Sequence, residues 1–353
     1  MSLRLEVRPF RLPLRRPLGT AHGSRLAVEG LRLLLRDASG CFGLGEVTPL
    51  PDFGTETLEA ASEALRSLRL GPAPQTLDAL PGAFTLPAHL PASRAGVEMA
   101  FLDFLARRQG VALGRLLGAS AVRRVDVNAL LSEEAPREAS LEARAAVGAG
   151  FRTLKLKVGT KPASLETERL RAVREAVGPA IRLRVDANGA WTEAEAEARL
   201  RLLVPLGLEY VEQPTRPTDI AGLRRLRALV RVAADESLGA EGAFAALLDW
   251  AEGPAADVLV LKLPALGGVL AAQQLSARAR ARGVATVVTS AMDGAVGRAA
   301  AAHLALALGG GLAHGLSTGL LLLEDPGAHP VVEGALLLGD VPGLGIAPEA
   351  LGW

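Results

Sequence analysis

The sequence predicts an α/β fold: a parallel barrel of alternating strands and helices, preceded by a smaller α+β region. From about residue 121 onward, eight short apolar segments alternate with helical stretches rich in arginine and alanine. This alternation is typical of a parallel sheet covered by helices. The 353 residues, 49% hydrophobic and 22% charged, can bury such a core in one or two domains. An open doubly wound sheet is the alternative, but no GxGxxG segment follows an early strand, which disfavours a dinucleotide site.

The N-terminal region is predicted to contain antiparallel strands and two helices. Thr55 or Thr57 is expected to cap the first helix, which has a glutamate-rich first turn. One apolar stripe in the second helix predicts that it packs on a core. The predicted elements are strands at 3–10 and 31–36, a turn at 40–45, helices at 55–68 and 93–108, and a proline- and glycine-rich loop over 71–92.

The barrel strands follow from the eight apolar segments. Each is short enough for a buried strand and is followed by a longer stretch of helical composition, except the last. The predicted strands are 125–131, 151–158, 181–188, 208–214, 230–237, 257–264, 284–291 and 312–319.

Composition limits the partners and the compartment. The net charge is +1, so no strong positive field exists to attract nucleic acid or an anionic membrane. Arginines interrupt the N-terminus before an apolar signal core could form. Cys41 is the one cysteine and has no partner for an internal disulfide, which favours a reducing compartment. We therefore expect a cytoplasmic protein that binds neither nucleic acid nor membrane.

Chemically active side chains recur where the predicted strands end. Active sites of such barrels lie at the carboxyl ends of the strands. The side chains found there are Asn128, Lys155, Lys157, Asp186, Asn188, Glu212, Asp235, Glu236, Lys262 and Ser290. They follow one another at intervals of one strand–helix unit, so we expect them to converge.

Three consecutive strands end in a carboxylate: Asp186, Glu212 and Asp235. Neighbouring strands lie about 5 Å apart, and three converged carboxylates cannot all stay ionised without a cation. Oxygen ligands without cysteine or histidine suit a hard divalent ion. The sequence therefore predicts a Mg²⁺ site, with Mn²⁺ as a substitute that it could accept. Salt bridges to arginines at the barrel rim are the alternative.

Lysines flank these carboxylates on both sides. The chain has only four lysines, and three of them, Lys155, Lys157 and Lys262, fall at strand ends. Lys155 and Lys157 are two residues apart and so point to the same face of one strand. Mutual repulsion and a nearby cation are expected to lower the proton affinity of this pair, so that one of them can act as a base. A Schiff-base aldolase also uses a barrel lysine but does not need three metal-binding acids.

Five motifs, in this order, resemble the enolase superfamily and its muconate-lactonising subgroup: TLKLKVG, VDANGAW, VEQP, ADES and LKLPALGG. The segment SRAGVEMAFLDFLARRQG resembles the end of that family's capping domain. The resemblance implies an α+β capping domain over 1–115 and a modified (β/α)7β barrel over 116–320. It also implies that a C-terminal segment, 321–353, returns to the capping domain.

The resemblance also implies a reaction, the removal of a proton next to a carboxylate with the help of magnesium. The three strand-end carboxylates would bind the metal and Lys157 would be the general base. Lys262 would face Lys157 across the site. Lys155 would tune Lys157 and touch the substrate carboxylate.

Further segments look like those of o-succinylbenzoate synthases. PLRRPLGTAHG and GLGEVTPLPDFGTETLEAA resemble their capping loop, and TSAMDGAVGRAAAAHLALAL and AHGLSTGLLLLED resemble their seventh- and eighth-strand segments. This likeness implies a lyase that dehydrates 2-succinyl-6-hydroxy-2,4-cyclohexadiene-1-carboxylate to o-succinylbenzoate in menaquinone synthesis. The substrate contacts we predict are Asn128, Ser290, Asp293, Gly294 and, in the capping loop, Arg25 with His22 beside it.

Other functions stay open. A racemase or epimerase of amino-acid derivatives could use Lys157 and Lys262 on opposite faces. A dipeptide epimerase should offer acids near the eighth strand to hold an ammonium group, and 312–319 has none. N-succinylamino acid racemisation and muconate cycloisomerisation remain alternatives, as does a non-catalytic binding barrel. Under each of these hypotheses the ligand is a small-molecule carboxylate. The sequence leaves open whether the protein forms a homo-oligomer.

Overall fold

The computed structural model describes residues 3–20, 23–121, 123–239, 242–249 and 253–353. His22 therefore lies outside the described residues. The chain begins with three antiparallel strands in the order β1-β2-β3. They are followed by helices that pack against this sheet and lead into the barrel. These elements are β1 (Leu3–Thr20), β2 (Gly23–Asp37), β3 (Phe42–Val47), α1 (Leu58–Arg66), α2 (Pro91–Arg108) and α3 (Leu113–Leu116).

Two glycines let α2 lie directly on β3. A Cβ on Gly43 would come within 2.0 Å of the Ala100 carbonyl oxygen, and one on Gly45 within 2.1 Å of the Gly96 carbonyl oxygen. The sequence analysis predicted a turn at 40–45, but the turn ends before Phe42 and both glycines belong to β3. They serve close packing here, which glycine provides as readily as a turn.

In the described part of the chain, the barrel consists of seven parallel strands, which follow one another along the sheet from β5 to β11. Their bounds are β5 (Ala129–Leu131), β6 (Thr153–Lys157), β7 (Arg182–Asp186), β8 (Leu208–Glu212), β9 (Val232–Ala234), β10 (Val258–Leu261) and β11 (Ala285–Val288). The helices that cover them are α4 (Pro136–Gly148), α5 (Ala163–Val177), α6 (Glu193–Leu203), α7 (Ile220–Leu226), α8 (Ala243–Leu248), α9 (Leu263–Leu266), α10 (Val269–Ala281) and α11 (Ala295–Leu308).

The eighth strand position is reduced to two residues that close the sheet. His314 bridges in parallel to Val127 beside β5, and Gly315 bridges in parallel to Thr289 beside β11. Seven strand–helix units and a final strand position without a following α-helix make this a (β/α)7β barrel, as expected. The predicted strand 312–319 is longer than the observed one because a 3₁₀ helix, Ser317–Leu321, begins directly after it.

Other boundaries also differ. β1 and β2 are longer than the predicted strands because they pair with each other in a long hairpin that extends beyond the core. The predicted strand 125–131 divides into β4 (Arg124–Asp126) and β5, and β4 pairs with the C-terminal hairpin. That hairpin consists of β12 (Val331–Val332) and β13 (Ala335–Leu337). The first helix begins at Leu58, after Thr57, whose side chain caps it.

The C-terminal residues contact the N-terminal sheet and α2. The Arg8 guanidinium donates to the Gly352 carbonyl and lies 4.2 Å from the centre of the Trp353 ring. The Leu344 N–H donates to buried Asp103 of α2. These contacts agree with a tail that returns to the capping region, although the predicted boundaries at 115 and 320 remain predictions. Among the described residues, no helix is long and apolar enough to cross a membrane.

Candidate active site

The carboxyl ends of β6 to β10 bring three lysines and three carboxylates together. Asp186 and Glu212 are the last residues of β7 and β8, and the paired register places them opposite each other and next to Lys157. Asp235 and Lys262 directly follow β9 and β10. The three carboxylates are only 2–4% exposed. The convergence predicted from the strand ends is therefore observed.

Lys155 lies between two of these carboxylates. Its Nζ is 2.9 Å from Asp186 Oδ2 and 2.7 Å from Glu212 Oε1. Burial lowers the pKa of Lys155, but the charges of Asp186 and Glu212 raise it by more than burial lowers it. The net pKa of Lys155 is therefore well above its ordinary value. The lowered proton affinity expected from repulsion between the two lysines is therefore not found at Lys155, since its carboxylate partners outweigh the repulsion. Lys155 is a fixed cation.

Lys157 has a different environment. Its Nζ donates to Asn188 Oδ1 at 2.7 Å and lies 4.0 Å from Asp186. The Asn188 amide in turn donates to Glu236 at 2.9 Å. The side chain of Lys157 is 39% exposed, compared with 15% for that of Lys155. Of the two lysines on β6, Lys157 has the more exposed side chain and the fewer close carboxylate contacts.

Lys262 faces the cluster from the far side. Three strands separate β10 from β6 in the sheet. The Lys262 Nζ contacts Asp235 Oδ2 at 2.5 Å and lies 3.6 Å from the centre of the Phe53 ring. Phe53 belongs to a 3₁₀ turn of the capping region, Pro51–Phe53. An aromatic face stabilises an ammonium group and excludes water from it, so the capping region completes this side of the site.

Burial raises the proton affinity of most of the carboxylates. Burial and repulsion from Asp186 raise the pKa of Glu212 to about 7. Burial, only partly offset by Lys262, raises the pKa of Asp235 to about 6. Burial also opposes ionisation of Asp186, but Lys155 and Lys157 outweigh it and keep the pKa of this carboxyl below its usual range. The negative charge is thus incompletely balanced by the lysines.

That donor set fits a hard divalent cation. Buried carboxylate oxygens from three adjacent strands are the ligands that Mg²⁺ prefers, and a dication would balance the charge that raises the pKa of Glu212 and Asp235. Among the described residues, no three acidic, histidine or cysteine side chains are already arranged around one point. Asp186, Glu212 and Asp235 could hold the ion after Lys155 and Lys262 give up their direct contacts.

Asn188 and Gln213, which follow the carboxylates Asp186 and Glu212 in the chain, adopt positive φ angles. Asn188 has φ 44° and Gln213 has φ 38°, a conformation that side chains other than glycine adopt at some energetic cost. Gln213 is fully buried, and its Oε1 accepts from the N–H groups of Asp235 and Ser237. Gln213 therefore ties the end of β8 to the end of β9 and holds Asp235 in place.

Two of the predicted substrate contacts, Asn128 and Arg25, lie in different parts of the structure. Asn128 is buried beside β5, and its Oδ1 lies 3.4 Å from the guanidinium of Arg184, inside the barrel. Its backbone carbonyl accepts from Ser317. Arg25 lies on β2 and makes no hydrogen bond or ion pair with the lysine–carboxylate cluster in the described part of the chain. Neither residue gains support as a substrate contact, and both stay predictions.

The start of α11 has partners within the protein at the positions that were predicted to contact substrate. The N–H of Gly294, a predicted substrate contact, donates at 2.6 Å to Glu46 Oε1 of β3. The Asp293 carboxylate accepts from Thr48 and its N–H donates to Ser290 Oγ. A buried glutamate thus already occupies the helix N-terminus, where an anion is favoured. These three predicted contacts have partners within the protein, so this geometry does not support them.

No acid lines the eighth strand position on the described chain. The first acids after it are Glu324 and Asp325, and Asp325 forms a buried ion pair with Arg298. Residues 312–319 therefore offer no carboxylate for a substrate ammonium.

Sequence reasoning missed Phe53, Gln213 and Glu46. Asn188 and Glu236 were noticed at strand ends but received no role. A glutamine beside a strand-end carboxylate is a signal that could have drawn attention to Gln213. Phe53 and Glu46 come from the capping region, and no local pattern in the chain pairs them with the barrel.

Known proteins resemble this chain over its whole length. Residues 138–350 match the family described as "Enolase C-terminal domain-like". The L-Ala-D/L-Glu epimerase of Bacillus subtilis (strain 168) is 30% identical over 362 residues, covering 99% of this chain and 97% of the relative. The o-succinylbenzoate synthase of Thermobifida fusca (strain YX) is 42% identical, but over 187 residues, or 52% of this chain and 56% of the relative.

Solved structures of similar proteins have the same fold. The N-succinyl Arg/Lys racemase from Bacillus cereus has a TM-score of 0.89 at 25% identity, covering 99% of this chain and 97% of that one. The dipeptide epimerase from Methylococcus capsulatus, in complex with Mg and the dipeptide L-Arg-D-Lys, has a TM-score of 0.85 at 28% identity. It covers 98% of this chain and all of the other.

Proposed function

Since this chain belongs to the enolase superfamily, in its muconate-lactonising subgroup, we propose that it racemises or epimerises an amino-acid derivative. The proposed substrate has a free carboxylate and an acyl group, such as succinyl, on its amine. The observation that carries this proposal is the placement of Lys157 and Lys262 on opposite sides of the carboxylate cluster.

Inversion at a carbon requires one group to remove the proton and another to return it on the opposite face. Lys157, held by Asn188, would take the proton from one enantiomer, while the Lys262 ammonium would supply a proton to the other face. For the opposite enantiomer the roles reverse. General acid–base catalysis of this kind depends on amines that can gain and lose a proton, which arginine cannot do.

Asp186, Glu212 and Asp235 are the proposed ligands of Mg²⁺, a metal present in a related epimerase structure. When bound, the ion stabilises the negative charge that develops on the substrate carboxylate. Lys155 is the proposed partner of that carboxylate, since its amine lies between two of the proposed metal ligands. Phe53 and the neighbouring cap residues keep water from the Lys262 ammonium.

The absence of an acid near the eighth strand argues for a masked amine. A free dipeptide ammonium would be buried here without a charged partner, which is costly. An N-acylated amine carries no charge and needs only a hydrogen-bond acceptor. This favours the kind of substrate named for the related Bacillus cereus racemase over that of the dipeptide epimerases.

A second candidate is the dehydration that forms o-succinylbenzoate, which would make the protein a lyase. The 42% identity to a synthase of that reaction favours it, although over half of the chain. In a syn elimination Lys157 alone can remove the proton and return it to the leaving hydroxyl. Lys262 would then act only as a cation. A muconate cycloisomerase would fit the same residues.

One variant separates these candidates. Lys262→Arg keeps the charge but cannot exchange a proton near neutral pH. We would compare wild type and variant on the cyclohexadiene acid and on a panel of N-succinylamino acids and dipeptides, following absorbance and optical rotation. Racemisation of N-succinylamino acids by the wild type, lost in the variant, supports the main proposal. Efficient dehydration that survives in the variant, without racemisation, contradicts it and supports the synthase.

A further inference from the structure

A large cavity lies at the amino-terminal end of the barrel, opposite the lysines. Its volume is about 1070 Å³. The walls come from the first residues of β4, β6 and β7, the loop 309–314 and the turn of the C-terminal hairpin. Active sites of such barrels lie at the other end, so the proposed reaction makes no use of this space.

Three arginines of the described chain line the cavity, and one of them has no partner among its residues. Arg124 pairs with Asp126 at 3.1 Å, and Arg182 donates to the Gly311 carbonyl at 2.7 Å. The exposed guanidinium of Arg152 forms no hydrogen bond or ion pair with any described residue. A guanidinium group presents several donors in a plane that matches a carboxylate or phosphate.

A glycine loop borders the same space. Gly309 and Gly310 have φ angles of 63° and 112°, which only glycine adopts readily. The described residues provide no acceptor for the N–H groups of Gly310 and Gly311. Successive free N–H groups in a loop with positive φ angles form a favourable concavity for anions.

A buried histidine supplies a further donor. His314 is 6% exposed and lines the cavity. Its Nδ1 accepts from the Val288 N–H at 3.0 Å, so the ring hydrogen is on Nε2. No described residue accepts that hydrogen. Burial lowers the pKa of His314 to about 4, which keeps the ring neutral near pH 7.

We propose that this cavity is a second ligand site, which binds a small oxyanion, a carboxylate or a phosphate group. Arg152, the glycine loop and the Nε2–H of His314 are its donors. Glu333 also lines the cavity and forms no ion pair with a described residue. Its charge opposes an anion, so it limits the site to ligands of low negative charge. The site is independent of the reaction proposed for the lysines.

The test is calorimetric titration of the full chain with inorganic phosphate and, separately, with succinate, at an ionic strength held constant with NaCl. We expect saturable binding of at least one probe, and the better probe identifies the preferred anion. Arg152→Ala should weaken binding about tenfold or more. Glu333→Gln should tighten it several-fold, because it removes a repulsive charge.

Arg171→Ala is the matched control, since Arg171 is exposed on α5 and is not among the residues that line the cavity. It should bind both probes as wild type does. Arg152→Ala should retain the basal activity of the enzyme. Binding that is unchanged in both Arg152→Ala and Glu333→Gln would place the anion elsewhere, for example at the lysines, and overturn the proposal. No saturable binding of either probe would overturn it as well.

Discussion

The two ends of the barrel carry charged groups in opposite surroundings. At the carboxyl ends of the strands, the side chains of Asp186 and Glu212 are 3% and 2% exposed. At the amino ends, those of Arg124 and Asp126 are 54% and 72% exposed. Burial shifts the pKa values of the first group, while the second group is solvated. In this barrel, the pKa of a charged group therefore depends on whether other parts of the protein cover it.

The cover comes from the capping region. Phe53 lies over Lys262, and Glu46 caps the helix that follows β11. At the other end, the walls are a glycine-rich loop and the turn of the C-terminal hairpin, which leave the cavity open to water. Water screens charges, so the ion pairs at the amino end are expected to be weak.

The largest effect is expected at Lys157. Lys157→Ala should reduce racemisation by about 10³-fold or more, since inversion needs both lysines and the neighbouring Lys155 is held by two carboxylates. Exchange of the α-proton for deuterium should continue for the single enantiomer that faces Lys262. NMR of each enantiomer in D₂O measures this. Lys161→Ala, at an exposed ion pair with Glu134, is the control and should behave as wild type.

Lys157→Arg should be nearly as inactive as the alanine variant, because arginine keeps its proton. An arginine variant with substantial activity would mean that this position supplies only charge. In that case Lys157 would differ from the charged groups at the amino end of the barrel only in its surroundings, and not in proton transfer.

Loss of a metal ligand should come next. Asp186→Asn, Glu212→Gln and Asp235→Asn each remove one charge from the proposed cage, and we expect Mg²⁺ affinity to fall by about 100-fold or more. Isothermal titration with Mg²⁺ measures the affinity, and a chelator should abolish wild-type activity. Asp126→Asn, at the other end, should leave Mg²⁺ binding unchanged. Wild-type affinity in all three ligand variants would refute the assignment.

A pH-dependent effect on stability is expected at Glu46. Burial, with repulsion from Asp293, raises the pKa of Glu46 from 4.5 to about 7. A carboxyl whose folded pKa is raised loses its stabilising contribution as the pH rises from about 4.5 through 7. The glutamine side chain of the Glu46→Gln variant does not ionise, so the stability of this variant relative to wild type should rise by about 2.5 kcal/mol between pH 5 and pH 8.

Urea denaturation at both pH values measures the difference. Glu29→Gln is a suitable control, since Glu29 forms an exposed ion pair with Arg11, and its effect should change little with pH. A Glu46→Gln effect of the same size at pH 5 and pH 8 would show that Glu46 is ionised throughout this range.

The smallest effect is expected for Asp126→Asn at the amino end. The pair with Arg124 is largely exposed, and such pairs contribute less than about 1 kcal/mol to the free energy of unfolding. Denaturation in low and high salt would reveal any contribution, which should fall as salt rises. A cost above about 2 kcal/mol would contradict the contrast between a covered and an uncovered end.

Much of the site could be predicted from the sequence because it depends on local order. Alternating apolar and helical segments indicate a parallel barrel, and the carboxyl ends of parallel strands meet at one edge. The positions of Asp186, Glu212, Asp235, Lys157 and Lys262 follow from this rule without any knowledge of packing. The family inferred from five motifs is confirmed by the match over residues 138–350.

The likeness to o-succinylbenzoate synthases was a weaker guide, because the relatives that match over the full chain include epimerases. Short motifs around the lysines and carboxylates are shared by enzymes that remove the same kind of proton. They report the chemistry of the first step, and the fate of the intermediate depends on groups elsewhere in the site.

The barrel, its strand ends and the chemical types of the groups that converge there follow from the order of residues along the chain. Which of those groups are covered and paired depends on how distant regions pack together. Phe53 meets Lys262, and Glu46 takes the N–H of Gly294, across separations of 209 and 248 residues. Strand periodicity arises from the geometry of neighbouring residues, whereas such contacts form only when two regions pack and expel water. No local pattern in the chain encodes them.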